Sequence, residues 1–94
     1  MHKTITENWE FEITVTKVNH PCRLGFEVGD KFHCQYECPT NFCPKTMSVL
    51  YALCEIIRSG GDYKLRGSQF SNEIGFICAD SCIEFYLTAK QLDT

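Results

Sequence analysis

From Phe11 to Val15 the chain alternates apolar and polar residues as Phe-Glu-Ile-Thr-Val. A period of two over aromatic and β-branched residues predicts a half-buried strand. The run stops at "NHPC", residues 19–22, because proline cannot donate to a ladder and restricts the residue before it. Cys22 is therefore expected in a loop or at a strand edge. "GFEVGDKFHCQY", residues 25–36, reads as a second extended unit with a turn near Gly29 and Asp30. Beyond that turn Phe32, Cys34 and Tyr36 share one face, and Lys31, His33 and Gln35 the other. Residues 37–43 carry the turn formers Pro39, Thr40 and Asn41 and form a loop.

The period then changes. Met47, Leu50, Tyr51, Cys54 and Ile57 recur at helical spacing, and Val49, Leu53 and Ile56 widen the stripe until most of the circumference is apolar. A helix with such a stripe is buried, and Gly60-Gly61 ends it. Residues 62–72 are polar, contain Gly67 and two serines, and read as a long loop. "IGFIC" and "CIEFYL" follow as two strands across the turn Ala79-Asp80-Ser81, with Ile83, Phe85 and Leu87 inward. The order strand, strand, helix, strand, strand predicts an α+β domain, a largely antiparallel sheet of about four strands packed on one buried helix. Residues 1–94 make a single domain, flexible over 1–8.

Composition narrows the chemistry. The chain carries nine Lys and Arg against twelve Asp and Glu, a net charge of −3. The basic residues are scattered singly, which argues against a nucleic-acid partner. No apolar run approaches the roughly 18 residues that span a bilayer, and "MHKTITENWEFEITV" lacks the basic and apolar regions of a leader. A cytoplasmic location without membrane contact is expected, with an unidentified protein or small molecule as partner. Seven cysteines, an odd number, fit reduced thiols or thiolate ligands better than a complete set of disulfides.

Each cysteine has its own surroundings. Pro44 suits the first helical position, which puts Cys43 at the N-cap, where unpaired N–H groups and the helix dipole lower a thiol pKa. Cys43 is the candidate nucleophile. Cys54 lies inside the apolar stripe and Cys34 between Phe32 and Tyr36, so both read as core packing. Cys38 is open to either role. Cys78 and Cys82 flank the predicted hairpin turn, with Asp80 between them. His20, a lone loop histidine, reads as exposed. No C-x-x-C pair occurs, so a metal site has to be assembled from separate loops.

Three ordered motifs carry a resemblance: "PCRLGFEVGDKF" (21–32), "FCPKTMSVLYALCEIIRSGGD" (42–62) and "ICADSCIEFYL" (77–87). Together they resemble a family of small, uncharacterised bacterial and archaeal proteins. That family has a Pro-Cys-x-x-Gly-x-x-Val-Gly-Asp segment, a Cys-Pro opening a helix and a Cys-x-Asp before the final strand. The resemblance implies that Cys22, Cys43 and Cys78 matter, with Gly25, Gly29, Asp30 and Asp80. Ala79 stands where the family's last motif has proline, and Cys34, Cys38, Cys54 and Cys82 look particular to this chain.

Three readings follow. The first is a metal-binding module in which Cys22, Cys43 and Cys78, helped by Cys38 or Cys82, hold zinc or an iron–sulfur cluster. The second is a thiol-redox or thiol-transfer protein with Cys43 attacking. The third is a structural or partner-binding domain with inert cysteines.

Overall fold

A computed structural model describes residues 8–78 and 80–92. Apart from Asn8, the segment expected to be flexible lies outside the described residues, as does Ala79 of the predicted turn. Four strands, β1 (Trp9–Val18), β2 (Lys31–Cys34), β3 (Glu73–Ile77) and β4 (Ile83–Gln91), accompany one helix, α1 (Met47–Arg58). The strands form one antiparallel sheet in the order β2-β1-β4-β3. The fold is α+β, as the periodicity predicts. Among the described residues no helix is long and apolar enough to cross a membrane.

Alternation decides which face of the sheet is covered. Phe11, Ile13 and Val15 on β1, Phe32 and Cys34 on β2, and Ile83, Phe85, Leu87 and Ala89 on β4 are all buried. Ile74 and Phe76 of β3 lie opposite Leu87 and Phe85 and extend the same face. Against it sit Leu50, Leu53, Cys54 and Ile57 of α1 in one hydrophobic cluster. The other face is polar: Glu12 there pairs with Lys31 at 2.9 Å and His33 at 3.3 Å.

β1 runs three residues past the expected Val15 because a bulge at Thr16 lets it continue. Val15 pairs with Phe85 but Lys17 with Glu84, so one extra residue is absorbed. Val18 is thereby returned to the apolar face opposite Ile83. The expected extended unit at 25–36 is shorter than its pattern, with only Lys31–Cys34 paired to β1.

Two further expectations are corrected. The helix is covered on one face only, and Tyr51 stays 55% exposed, because the stripe through Leu50, Leu53, Cys54 and Ile57 already fills the contact with the sheet. The predicted long loop at 62–72 contains a 3-10 turn, Tyr63–Arg66, capped by the Asp62 carboxylate, which accepts from the Lys64 N–H at 2.8 Å. That turn drives the fully buried Tyr63 under the helix, where its hydroxyl donates to the Leu53 carbonyl at 2.7 Å. Gly60, at φ +86°, ends the helix as expected, and at Gly61 a Cβ would stand 2.7 Å from the Ile56 carbonyl oxygen.

Tyr63 can be tested on its own. Tyr63→Phe removes the donor while leaving the ring, and is expected to cost about 1–2 kcal/mol in unfolding free energy. Tyr63→Ala is expected to cost about 3–5 kcal/mol through the cavity it leaves. Urea titration checks both, and a Tyr63→Phe protein as stable as the parent would remove the hydroxyl from the account of how the helix is held.

Candidate functional site

Antiparallel pairing of β1 with β4 puts the end of one strand beside the start of the other. The N–H groups of Asn19 and His20 both donate to the Cys82 carbonyl, at 2.7 and 3.3 Å. The loop carrying Cys22 is thus tied to the hairpin carrying Cys78 and Cys82. A third segment arrives from the helix side, where Cys43 caps a 3-10 turn, Pro44–Thr46, that leads into α1. The helix therefore opens one turn later than Pro44 suggests, and Cys43 sits on the 3-10 lead-in instead of on α1 itself.

These segments enclose a cleft of about 600 Å³. Cys22, Cys43, Cys78 and Cys82 all line it, as do Thr46, Asp80, Arg23 and Lys45. Phe26, Ile83 and Phe85 supply apolar walls. Phe85 sits at the hub of an aromatic cluster, with ring centres 5.3 Å from Phe42, 5.0 Å from Phe76 and 6.3 Å from Phe26. Edge-on and offset ring contacts of this kind fix side chains that would otherwise be mobile.

Cys38 is not part of this group. It lines a second cavity with Cys34 and Cys54, between the loop after β2 and the Met47, Leu50 and Tyr51 side of the helix. Of the two alternative helpers to Cys22, Cys43 and Cys78, Cys82 lines the cleft with them and Cys38 does not. His20 is exposed and does not line the cleft.

The sulfurs differ in environment. Cys78 Sγ accepts from two backbone N–H groups, Cys82 at 3.2 Å and Ile83 at 3.4 Å. These donors exist because the tight turn, with Ser81 at φ +61°, folds the chain back over the sulfur. For Cys43, burial is the largest single influence and pushes the thiol up. The Thr46 hydroxyl and the N–H groups of Thr46 and Lys45 together outweigh it, and the pKa falls below the ordinary thiol value even with the Asp80 carboxylate opposing. Cys82 moves the other way, raised by desolvation and by its neighbours Cys78, Asp80 and Cys22.

Thr46 escapes a reading based on cysteines. It is fully buried, and its Oγ1 meets no partner at normal hydrogen-bond geometry. A buried hydroxyl in that state is costly unless something accepts from it. It lies against the Cys43 sulfur and lines the cleft. The only sequence signal was a hydroxyl three residues after the cysteine, in Cys-Pro-Lys-Thr. Across the rim, Lys45 Nζ meets Asp80 Oδ2 at 3.3 Å, with both side chains more than half exposed. Such an exposed pair contributes little stability.

Among the described residues, no three His, Cys, Asp or Glu side chains stand close enough to hold a single metal ion. The arrangement offers several soft donors around an open volume, one of them activated, instead of a tight cage.

Reactivity follows from these environments. In metal-free folded protein, iodoacetamide is expected to modify Cys43 well before Cys54, whose thiol is buried and pushed up mainly by its hydrogen bond to Cys34. The Cys43 rate is expected to rise with pH and to reach half its maximum at lower pH than the Cys54 rate, since one thiol is shifted down and the other up. In Thr46→Val that midpoint is expected to move to higher pH, since the hydroxyl favours the thiolate. Mass-mapped labelling across a pH series checks this, and an unmoved midpoint removes Thr46 from the site.

Compared with models of protein families, with curated proteins and with solved structures, the chain matches none, so the reading of the cleft rests on its own geometry.

Proposed function

We propose that the cleft is a thiolate site for an iron–sulfur cluster, with Cys22, Cys43, Cys78 and Cys82 as ligands. One observation carries the reading: four cysteines from three separate segments open on one cleft, while the other three lie elsewhere. Clusters are held by cysteine thiolates, and hydrogen bonds to sulfur tune them. The two N–H donors at Cys78 and those acting on Cys43 fit that role.

Size favours a cluster over zinc. A lone zinc ion at about 2.3 Å from each sulfur needs sulfurs about 3.8 Å apart, and no such set exists among the described residues. A multi-atom cluster spreads its ligands round a larger space, which suits a cleft of about 600 Å³. The apolar walls limit water at the site, and Arg23 and Lys45 at the rim offset negative charge. Binding requires the thiols to lose their protons, so uptake strengthens as pH rises. A cytoplasmic setting, where thiols stay reduced, belongs to this proposal.

The lowered pKa of Cys43 favours a second reading, in which that thiolate attacks a disulfide or similar electrophile on a protein or small molecule and a neighbouring cysteine resolves the product. Iron content separates the two.

Protein purified without oxygen and supplied with ferrous iron and sulfide is expected to take up both and to gain broad visible absorption. Cys43→Ser and Cys78→Ser are expected to lose most of that absorption, and Cys38→Ser to keep it, with circular dichroism confirming that each variant is folded. Protein that takes up neither iron nor sulfide and keeps all seven thiols titratable overturns the cluster reading; a stoichiometric zinc ion in its place would overturn it in favour of zinc.

A further inference from the structure

The remaining three cysteines gather at the opposite end of the sheet. Cys34 ends β2 and pairs with Phe11 near the start of β1, whereas the cleft lies at the Val18 end. Cys54 projects from the inner face of α1. Both are buried, at 6% and 2% exposure, and both line a cavity of about 230 Å³. Both thiols line the same cavity where the strand meets the helix, and Cys34 is near enough to be the largest influence on the Cys54 thiol. Cys38, four residues beyond Cys34, lines the same cavity but is exposed to solvent. Arg58 closes one side, its guanidinium 5.1 Å from the Phe11 ring centre and 4.7 Å from that of Tyr36, and it donates to the Gln35 carbonyl. Three of the chain's cysteines thus line one cavity, two of them buried and the third exposed to solvent.

We propose that Cys34, Cys38 and Cys54 form a second thiol site, a disulfide relay in which exposed Cys38 reacts with a low-molecular-weight disulfide and passes the oxidation to the buried Cys34–Cys54 pair. This site is independent of the cleft and does not rest on the cluster reading.

The chemistry balances in three exchanges. Cys38 as thiolate attacks one sulfur of the disulfide RSSR, forms Cys38–S–S–R and releases RS⁻, which takes the Cys38 proton. Cys34 then attacks the Cys38 sulfur, and the second RS⁻ leaves as RSH. As the Cys34–Cys38 bond breaks, the Cys38 sulfur takes up the proton of Cys54, which is otherwise held as a thiol, and the Cys54 sulfur closes Cys34–S–S–Cys54. Two thiols have lost two electrons, RSSR has become two RSH, and Cys38 is regenerated. The product ties the edge strand β2 to α1. The order follows access, since a bulky disulfide reaches Cys38 but not the buried pair.

The test uses metal-free, folded protein treated with oxidised glutathione and mapped without reduction. Trypsin yields a peptide 32–45 carrying Cys34, Cys38 and Cys43, and a peptide 46–58 carrying Cys54 alone. A second cut after Glu37 separates Cys34 from the other two. A Cys34–Cys54 link is expected, together with a higher urea midpoint than reduced protein. In Cys38→Ser, an exposed and conservative change, the link is expected to form about tenfold more slowly or less, because the buried sulfurs then have to meet glutathione directly. Accumulation of a mixed disulfide at Cys38 with Cys34 and Cys54 still reduced overturns the proposal. So does a link that forms in Cys38→Ser at the parent rate.

Discussion

The pairing of β1 with β4 is the constraint from which the rest of this structure follows. It joins the first strand to the last at the centre of the sheet, with Ile13 opposite Leu87 and Val15 opposite Phe85. A register slip of one residue would turn each buried side chain of a strand to solvent, so the burial of both inner faces specifies the match strongly. The same pairing joins the loop after β1 to the turn before β4 through the Cys82 carbonyl. The core and the cysteine cleft are two consequences of one register.

The bulge at Thr16 shows how closely the two are linked. Without an extra residue there, Val18 would fall on the polar face, and the chain would leave the sheet in a different direction before Pro21. With it, Val18 packs beside Ile83, and Cys22 follows onto the cleft wall. Bulges often re-aim a strand end in this way. Phe85 then serves both layers at once, buried in the core and forming a wall of the cleft.

One residue type has been given opposite chemistry at the two ends of the sheet. Cys43 is surrounded by donors, the Thr46 hydroxyl and two N–H groups, and is shifted toward its thiolate. Cys54 is buried, with the Cys34 thiol as the largest influence on it, and is held as a thiol. The difference lies in what is free to donate. The 3-10 lead-in places the Lys45 and Thr46 N–H groups beside the Cys43 sulfur, whereas the interior of α1 directs its N–H groups along its own ladder. Cys43 and Cys54 also stand on the order of 15 Å apart along the helical segment, at 1.5 Å per residue, so the two groups of cysteines act on separate surroundings.

The sequence by itself determined the elements and their inner faces, because periods of two and of 3.6 are local and survive without knowledge of neighbours. Phe11, Ile13, Val15, Phe85 and Leu87 were legible as core for that reason, and so were the chain breaks that put Cys22, Cys43 and Cys78 at the ends of elements. Only the tertiary structure decided which strands meet, since four antiparallel strands can be ordered in several ways that satisfy the same alternation. It alone brought Cys82 to the cleft and took Cys38 away, because a loop's path depends on what it packs against and not on its own pattern. Tyr63 was hidden in a polar stretch, its burial set by a helix carbonyl ten residues earlier. The cavity shared by Cys34 and Cys54 was hidden more deeply, for each looked like an ordinary core residue of its own element. Only the docking of α1 against β2 turns two such residues into a pair.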